Sequence, residues 1–310
     1  MKKKRYVILF IIASLFLVVG QSCERKDEKK GVFLGGKDGL VAGFVDDAPP
    51  LSGIFQNEPF PIDVELINKG ETEIGEGAAV VYLTGALFSS SSVQTEMQQA
   101  SNDAFIAAVE ESEQARVDDS LIVPLGKATY KGTILGDSVP LDVRTAVCYP
   151  YETRVQVDDF CIPSTSRQAT GENDCEIVST TNIIKENDNS GAPVHVTSLR
   201  EQEGPDFVRV TLDINNVGTG DVINPGTCKR DLQRDDLDKV KVKMPQNFEC
   251  TFRDGESNEG IVELRSGHTV LRCKRDINNQ GSAFKEPIGI TLSYNYQQEV
   301  SKTVNINKAT

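Results

Sequence analysis

The sequence predicts an all-β protein: two antiparallel β-sandwiches in tandem behind an exported N-terminus, with a short helical insertion in the first sandwich. Three observations predict it. Polar and apolar residues alternate with a period of two along most of the chain, as strands with one buried and one wet face require. Two separate segments recur at almost one offset. Between the alternating stretches stand clusters of Gly, Asn, Asp and Pro, the residues of tight turns.

The chain has 310 residues, with 33 Lys plus Arg against 46 Asp plus Glu, a net charge of −13. Four of the cations (Lys2, Lys3, Lys4 and Arg5) sit in an N-terminal segment that reads as removable, leaving 29 − 46 = −17 for the body. So acidic a body argues against nucleic acid as a partner. A hydrophobic content of 38% and a charged content of 25% fit a soluble domain, not a multi-span membrane protein or a disordered tail.

Residues 1–22 read as a signal peptide or membrane anchor. MKKKR is a cationic start, and Tyr6 to Gly20 is an uncharged apolar run of fifteen residues, shorter than the ~20 a membrane span wants. Gly20 and Ser22 are small residues suited to cleavage before Cys23. GQSC also reads as a partial lipobox with Cys23 as the lipidated residue, and an uncleaved anchor is the third reading. Residues 23–31, with the charged run ERKDEKK, form a tether. The expected address is the outer face of the cytoplasmic membrane or the cell surface, held there by the anchor or a lipid.

The first sandwich is expected over 32–162. Within it, 92–116 carries helix formers with Phe105, Ile106 and Val109 on one side, and is expected to be a helical or loop insertion. Residues 163–192 are polar and turn-rich and read as a linker. The second sandwich is expected over 193–310, with strands near 193–202, 206–216, 238–244, 247–252, 260–274, 286–296 and 299–307. About seven short strands with such punctuation suggest the immunoglobulin type of sandwich.

The repeat ties the halves together. Ile62, Val64 and Leu66 align with Val210, Leu212 and Ile214, and both stretches end in N-x-G, Asn68 to Gly70 and Asn216 to Gly218, at an offset of 216 − 68 = 148. PLDVRTAVCY (140–149) aligns with PIGITLSYNY (287–296) at 287 − 140 = 147, which sets Tyr149 against Tyr296. Both point to a tandem duplication.

Past Cys23 there are six cysteines and no Cys-x-x-Cys pair, so neither a zinc knuckle nor a thioredoxin-type site is indicated. In an exported chain they read as disulfides. Cys161 and Cys175 bracket a turn-rich loop, Cys250 and Cys273 lie in neighbouring strand-like segments, and Cys148 with Cys228 remain by elimination.

Catalytic signatures are sparse. The two histidines, His195 in a strand and His268 at a turn, come with no nucleophile elbow and no metal spacing. GGKDG at 35–39 lacks the following helix of a phosphate cradle. The acidic doublets at 46–47, 118–119, 158–159 and 235–236 read as solvated turns, with calcium as the alternative. There is no N-x-S/T sequon. No catalytic residue, cofactor or metal is expected.

Alternation ending in N-x-G behind an exported N-terminus resembles the CARDB-type and related immunoglobulin-like domains of prokaryotic surface proteins. CYPYET (148–153), GAPVHVT (191–197) and DDLDKV (235–240) are also similar to segments of uncharacterised exported archaeal proteins. The resemblance implies adhesion, scaffolding or envelope assembly with another envelope protein as partner, and carries over no catalytic residue. The alternatives are a membrane-anchored ligand-binding or accessory lipoprotein and, least supported, an envelope hydrolase.

Overall fold

The computed structural model describes residues 32–85, 88, 91–111, 116–164, 175–185, 187–253, 257–277 and 282–309. Cys23, the apolar N-terminal run and the tether lie outside the described residues. Residues 31–310 group as one compact unit.

Three sheets organise it. The first has four antiparallel strands, in the order β1 (Leu40–Phe44), β3 (Pro59–Asn68), β9 (Asp119–Tyr130), β5 (Val93–Thr95). The second repeats that plan with β11 (Val194–Glu203), β12 (Phe207–Asn216), β17 (His268–Asp276) and β15 (Glu249–Cys250). The third runs β16 (Glu259–Glu263), β14 (Lys239–Lys243), β18 (Phe284–Asn307), β10 (Ser138–Ile162), β4 (Val80–Leu83), β6 (Gln99–Ser101). Two short strands, β2 (Ile54–Phe55) and β13 (Asp221–Ile223), pair with β18 off that path. A two-residue ribbon, β7 (Glu110–Glu111) with β8 (Arg116–Val117), stands apart.

The long sheet departs from the arrangement expected from the sequence. The expected halves are not separate bodies in series: β10 of the first pairs with β18 of the second from Ser138↔Asn307 to Ile162↔Phe284, with one bulge between Val157 and Phe160. The break expected near 297–298 does not exist, because no Gly, Pro or Asn interrupts Gln297 to Lys302 and the strand has a partner along its whole length. A break that was not expected divides 260–274, where Ser266 and Gly267 take positive φ and turn β16 into β17.

Alternation becomes burial directly. In β3, Phe60, Ile62, Val64 and Leu66 are all 2% exposed or less, and in β12 Val208, Val210, Leu212 and Ile214 are wholly buried. These faces share one apolar cluster with the inner face of the long sheet. At ~25 cal/mol per Å2 such burial is the main stabilising contribution.

Residues 92–116 are not helical where described. Val93–Thr95 becomes β5 on the edge of β9, and Gln99–Ser101 becomes β6 on the edge of β4. Ile106 and Val109 are buried, but Phe105 is 63% exposed, so the three do not form one face. Open strand edges nearby offered backbone partners, and that tertiary gain outweighs a helix propensity of tenths of a kcal/mol per residue.

Residues 163–192, where described, are bonded to the sandwich. Gln156 N donates to Asp188 O, Ser190 N to Arg154 O, and Ile183 N to Leu199 O. Ser190 and Ala192 are fully buried.

Candidate functional site

The junction of the halves is a buried tyrosine quartet. Tyr149 and Tyr151 on β10 face Tyr296 and Tyr294 on β18, with ring centroids 5.7–6.4 Å apart. Each hydroxyl has a partner. Tyr149 donates to Leu40 O at 2.9 Å, while Tyr294 receives Val194 N at 3.3 Å. Tyr151 donates to Asn68 Oδ1 at 3.3 Å, and Tyr296 to Asn216 Oδ1 at 3.2 Å.

Leu40 opposes Asn68 in β1–β3, as Val194 opposes Asn216 in β11–β12. The environments therefore match Tyr149 with Tyr294 and Tyr151 with Tyr296, an offset of 294 − 149 = 145. The sequence alignment at 147 is two residues off, a slip that keeps the same face of the strand. The signal that would have corrected it is Y-x-Y, present at 149–151 and again at 294–296. Burial pushes Tyr149 and Tyr294 well above the ordinary tyrosine value and Tyr296 to about 12, so all three stay neutral.

The N-x-G motifs serve this junction. Asn68 Oδ1 accepts from Gly70 N, and its amide donates to Thr72 O; Asn216 Oδ1 accepts from Gly218 N, and its amide donates to Gly220 O. The glycine is required because a Cβ at Gly70 would stand 2.0 Å from the Tyr151 hydroxyl, and one at Gly218 2.4 Å from that of Tyr296.

The remaining polar candidates also support the fold. At the start of the 35–39 loop the Glu71 carboxylate accepts from Leu34 N and Gly35 N, and also from Gly191 N, at 2.6–3.1 Å. His195 lies in β11 with Nε2 3.1 Å from Gly36 O, and burial lowers its pKa. Asp119 accepts from Ala107 N, and Lys69 pairs with Asp118. Lys185 and Lys285 flank Asp159, and hydrogen bonding to Lys185 chiefly holds that carboxyl below its ordinary value. Lys229 does the same for Asp236 at 2.6 Å. Asp46 and Asp47 form the turn closed by the Val45–Ala48 bridge. Among the described residues no group of three or more His, Cys, Asp or Glu is arranged to hold a metal ion.

The six cysteines past Cys23 form three disulfides. Cys161–Cys175 anchors the segment after β10, and Cys250–Cys273 joins β15 to β17. Cys148–Cys228 has a role that elimination could not supply. Cys148 sits on the outer face of β10, and Cys228 brings its loop across that face to bury Tyr82 and Ile223 in a second, smaller apolar cluster. The Tyr82 hydroxyl donates to Cys228 O at 3.0 Å.

One feature is not consumed by the fold. A cleft of about 660 Å3 opens on the side of the second half, between β16 and β17. Among the described lining residues Lys239, Arg253 and Arg265 supply cations, Glu263 a carboxylate, and His268 stands at its turn. Among the described residues neither arginine is in an ion pair, whereas Lys239 bonds a backbone oxygen, Asp235 O, at 2.6 Å. His268 lies 3.8 Å from Asp213. Of these residues the sequence singles out only His268, because the cations lie far apart along the chain with no motif spacing. The chain matches no family model and no curated protein.

Proposed function

We propose that the chain is an exported, non-catalytic envelope protein, held at the outer face of the membrane through its N-terminal segment or a lipid on Cys23. Its two halves act as immunoglobulin-like sandwiches that bind another envelope protein, in the manner of CARDB-type surface domains. The observation that carries the reading is the joining of Cys148, Cys161, Cys175, Cys228, Cys250 and Cys273 in three disulfides, the state of an oxidising compartment. The buried tyrosines and the internally bonded loops support it further, since polar groups are spent on holding one stiff body. The second reading, a ligand-binding accessory lipoprotein, is favoured by the cleft between β16 and β17.

Cell fractionation with non-reducing peptide mapping tests the proposal. The expected result is membrane-associated protein with an externally accessible body and the three linked cysteine pairs. Soluble cytoplasmic protein with free thiols overturns it.

A further inference from the structure

We propose that the cleft between β16 and β17 binds an extended acidic peptide segment of a partner protein, seated as an added strand. The inference deepens the binding reading above by naming the partner's chemistry. Three observations carry it.

The first is bare backbone. β16 is the outermost strand of the long sheet and, among the described residues, pairs only with β14. β17 pairs with β12 along its length, but on its other edge β15 reaches only Cys273 and Lys274, and Thr251 N reaches Arg272 O. Among the described residues, Thr269, Val270 and Leu271 therefore line the cleft with no neighbouring strand on that edge. Such an edge takes an extended peptide through main-chain bonds.

The second is charge. The body carries 29 − 46 = −17 outside the first five residues, yet among the described residues lining this cleft Lys239, Arg253 and Arg265 stand against one carboxylate, Glu263, with Asp213 and Asp238 beside the lining. Cations clustered in a concave site on an acidic surface favour carboxylates and oppose basic partners. Half-buried Ile261 and 37% exposed Val270 offer apolar contact between the charges, so acidic residues alternating with aliphatic ones fit best.

The third is the other half of the molecule. β6 and β9 hold the places there that β16 and β17 hold here. They are joined by 118 − 101 = 17 residues, among which Ile106 and Val109 are buried and bonded back to Ile74 and Gly70. β16 and β17 are joined by only 267 − 263 = 4 residues. The second half thus has no connection of comparable length to pack beside these two strands.

The test uses the full chain in detergent and a fluorescein-labelled peptide of eleven alternating Asp and Val residues, read by polarisation at low salt. Two competitors discriminate the mode: the same peptide with Pro replacing Val, equal in charge but unable to form the strand, and a polygalacturonate of matched charge. Binding is expected with the Asp/Val peptide, with Kd raised at least tenfold in R253E/R265E and little competition from either control. Both arginines are exposed, so circular dichroism of the variant should match the parent. Absence of peptide binding, equal competition by polygalacturonate or the Pro peptide, or an unchanged Kd in the variant overturns the proposal. None of these outcomes touches the export reading, which stands or falls on fractionation and the cysteine pairs.

Discussion

Glu201 makes stability depend on pH in a direction opposite to that of most carboxylates. It lies on β11, 5% exposed, accepting a 2.7 Å bond from Cys161 N beside the Cys161–Cys175 disulfide. Burial raises its pKa from 4.5 to about 7, against the backbone bond from Cys161 and the charge of Lys285. The folded chain therefore holds this proton to a higher pH than the unfolded chain does. The stability it contributes is fully present below about pH 4.5 and is lost as pH rises through about 7.

A gap of about 2.5 pH units at ~1.36 kcal/mol each sets a ceiling of ~3.4 kcal/mol, and residual solvent screening lowers the expectation to ~2 kcal/mol. Glu201→Gln removes the titration and keeps an acceptor for Cys161 N. The variant should match the parent near pH 4 and exceed it by ~2 kcal/mol at pH 8, roughly 3–4 °C in Tm for a body of this size. Urea unfolding from pH 4 to 8 measures the difference. Parallel stability curves for parent and variant would refute the assignment of a buried, proton-holding carboxyl at this position.

Two further predictions follow from packing. Gly218→Ala should cost ~2 kcal/mol or more, because its Cβ would meet the Tyr296 hydroxyl at 2.4 Å and Pro193 Cβ at 2.8 Å, whereas Gly43→Ala, with nothing within 4 Å, should be near neutral; thermal melts of the two variants decide it. Ile106→Ala should cost ~2–4 kcal/mol through the cavity it leaves, while Phe105→Ala should stay within ~0.5 kcal/mol, since Ile106 is fully buried and Phe105 is 63% exposed. Equal losses in urea titrations of these two neighbours would contradict the packing described for residues 102–109.

Local chemistry made much of this protein legible from its residues. Period-two alternation in 60–66 and 208–214 decides which side chains are buried, because a strand has only two faces and water claims one of them. The recurring N-x-G motifs marked equivalent strand ends, where Asn closes the turn and Gly leaves room for a tyrosine hydroxyl. Residues 92–116 form edge strands where helix formers suggest a helix, because strand edges belonging to β4 and β9, distant in sequence, outweigh local helix propensity.

Tertiary structure alone decided the rest. The pairing of β10 with β18 is invisible to periodicity, since alternation says which face is buried and not which strand lies alongside. That pairing merges two repeats into one body and brings Tyr149, Tyr151, Tyr294 and Tyr296 together from opposite halves of the chain. The cleft is of the same kind. Lys239, Arg253 and Arg265 become neighbours only when two strand edges are left open beside each other, because electrostatic fields add over distances in space and not along the sequence.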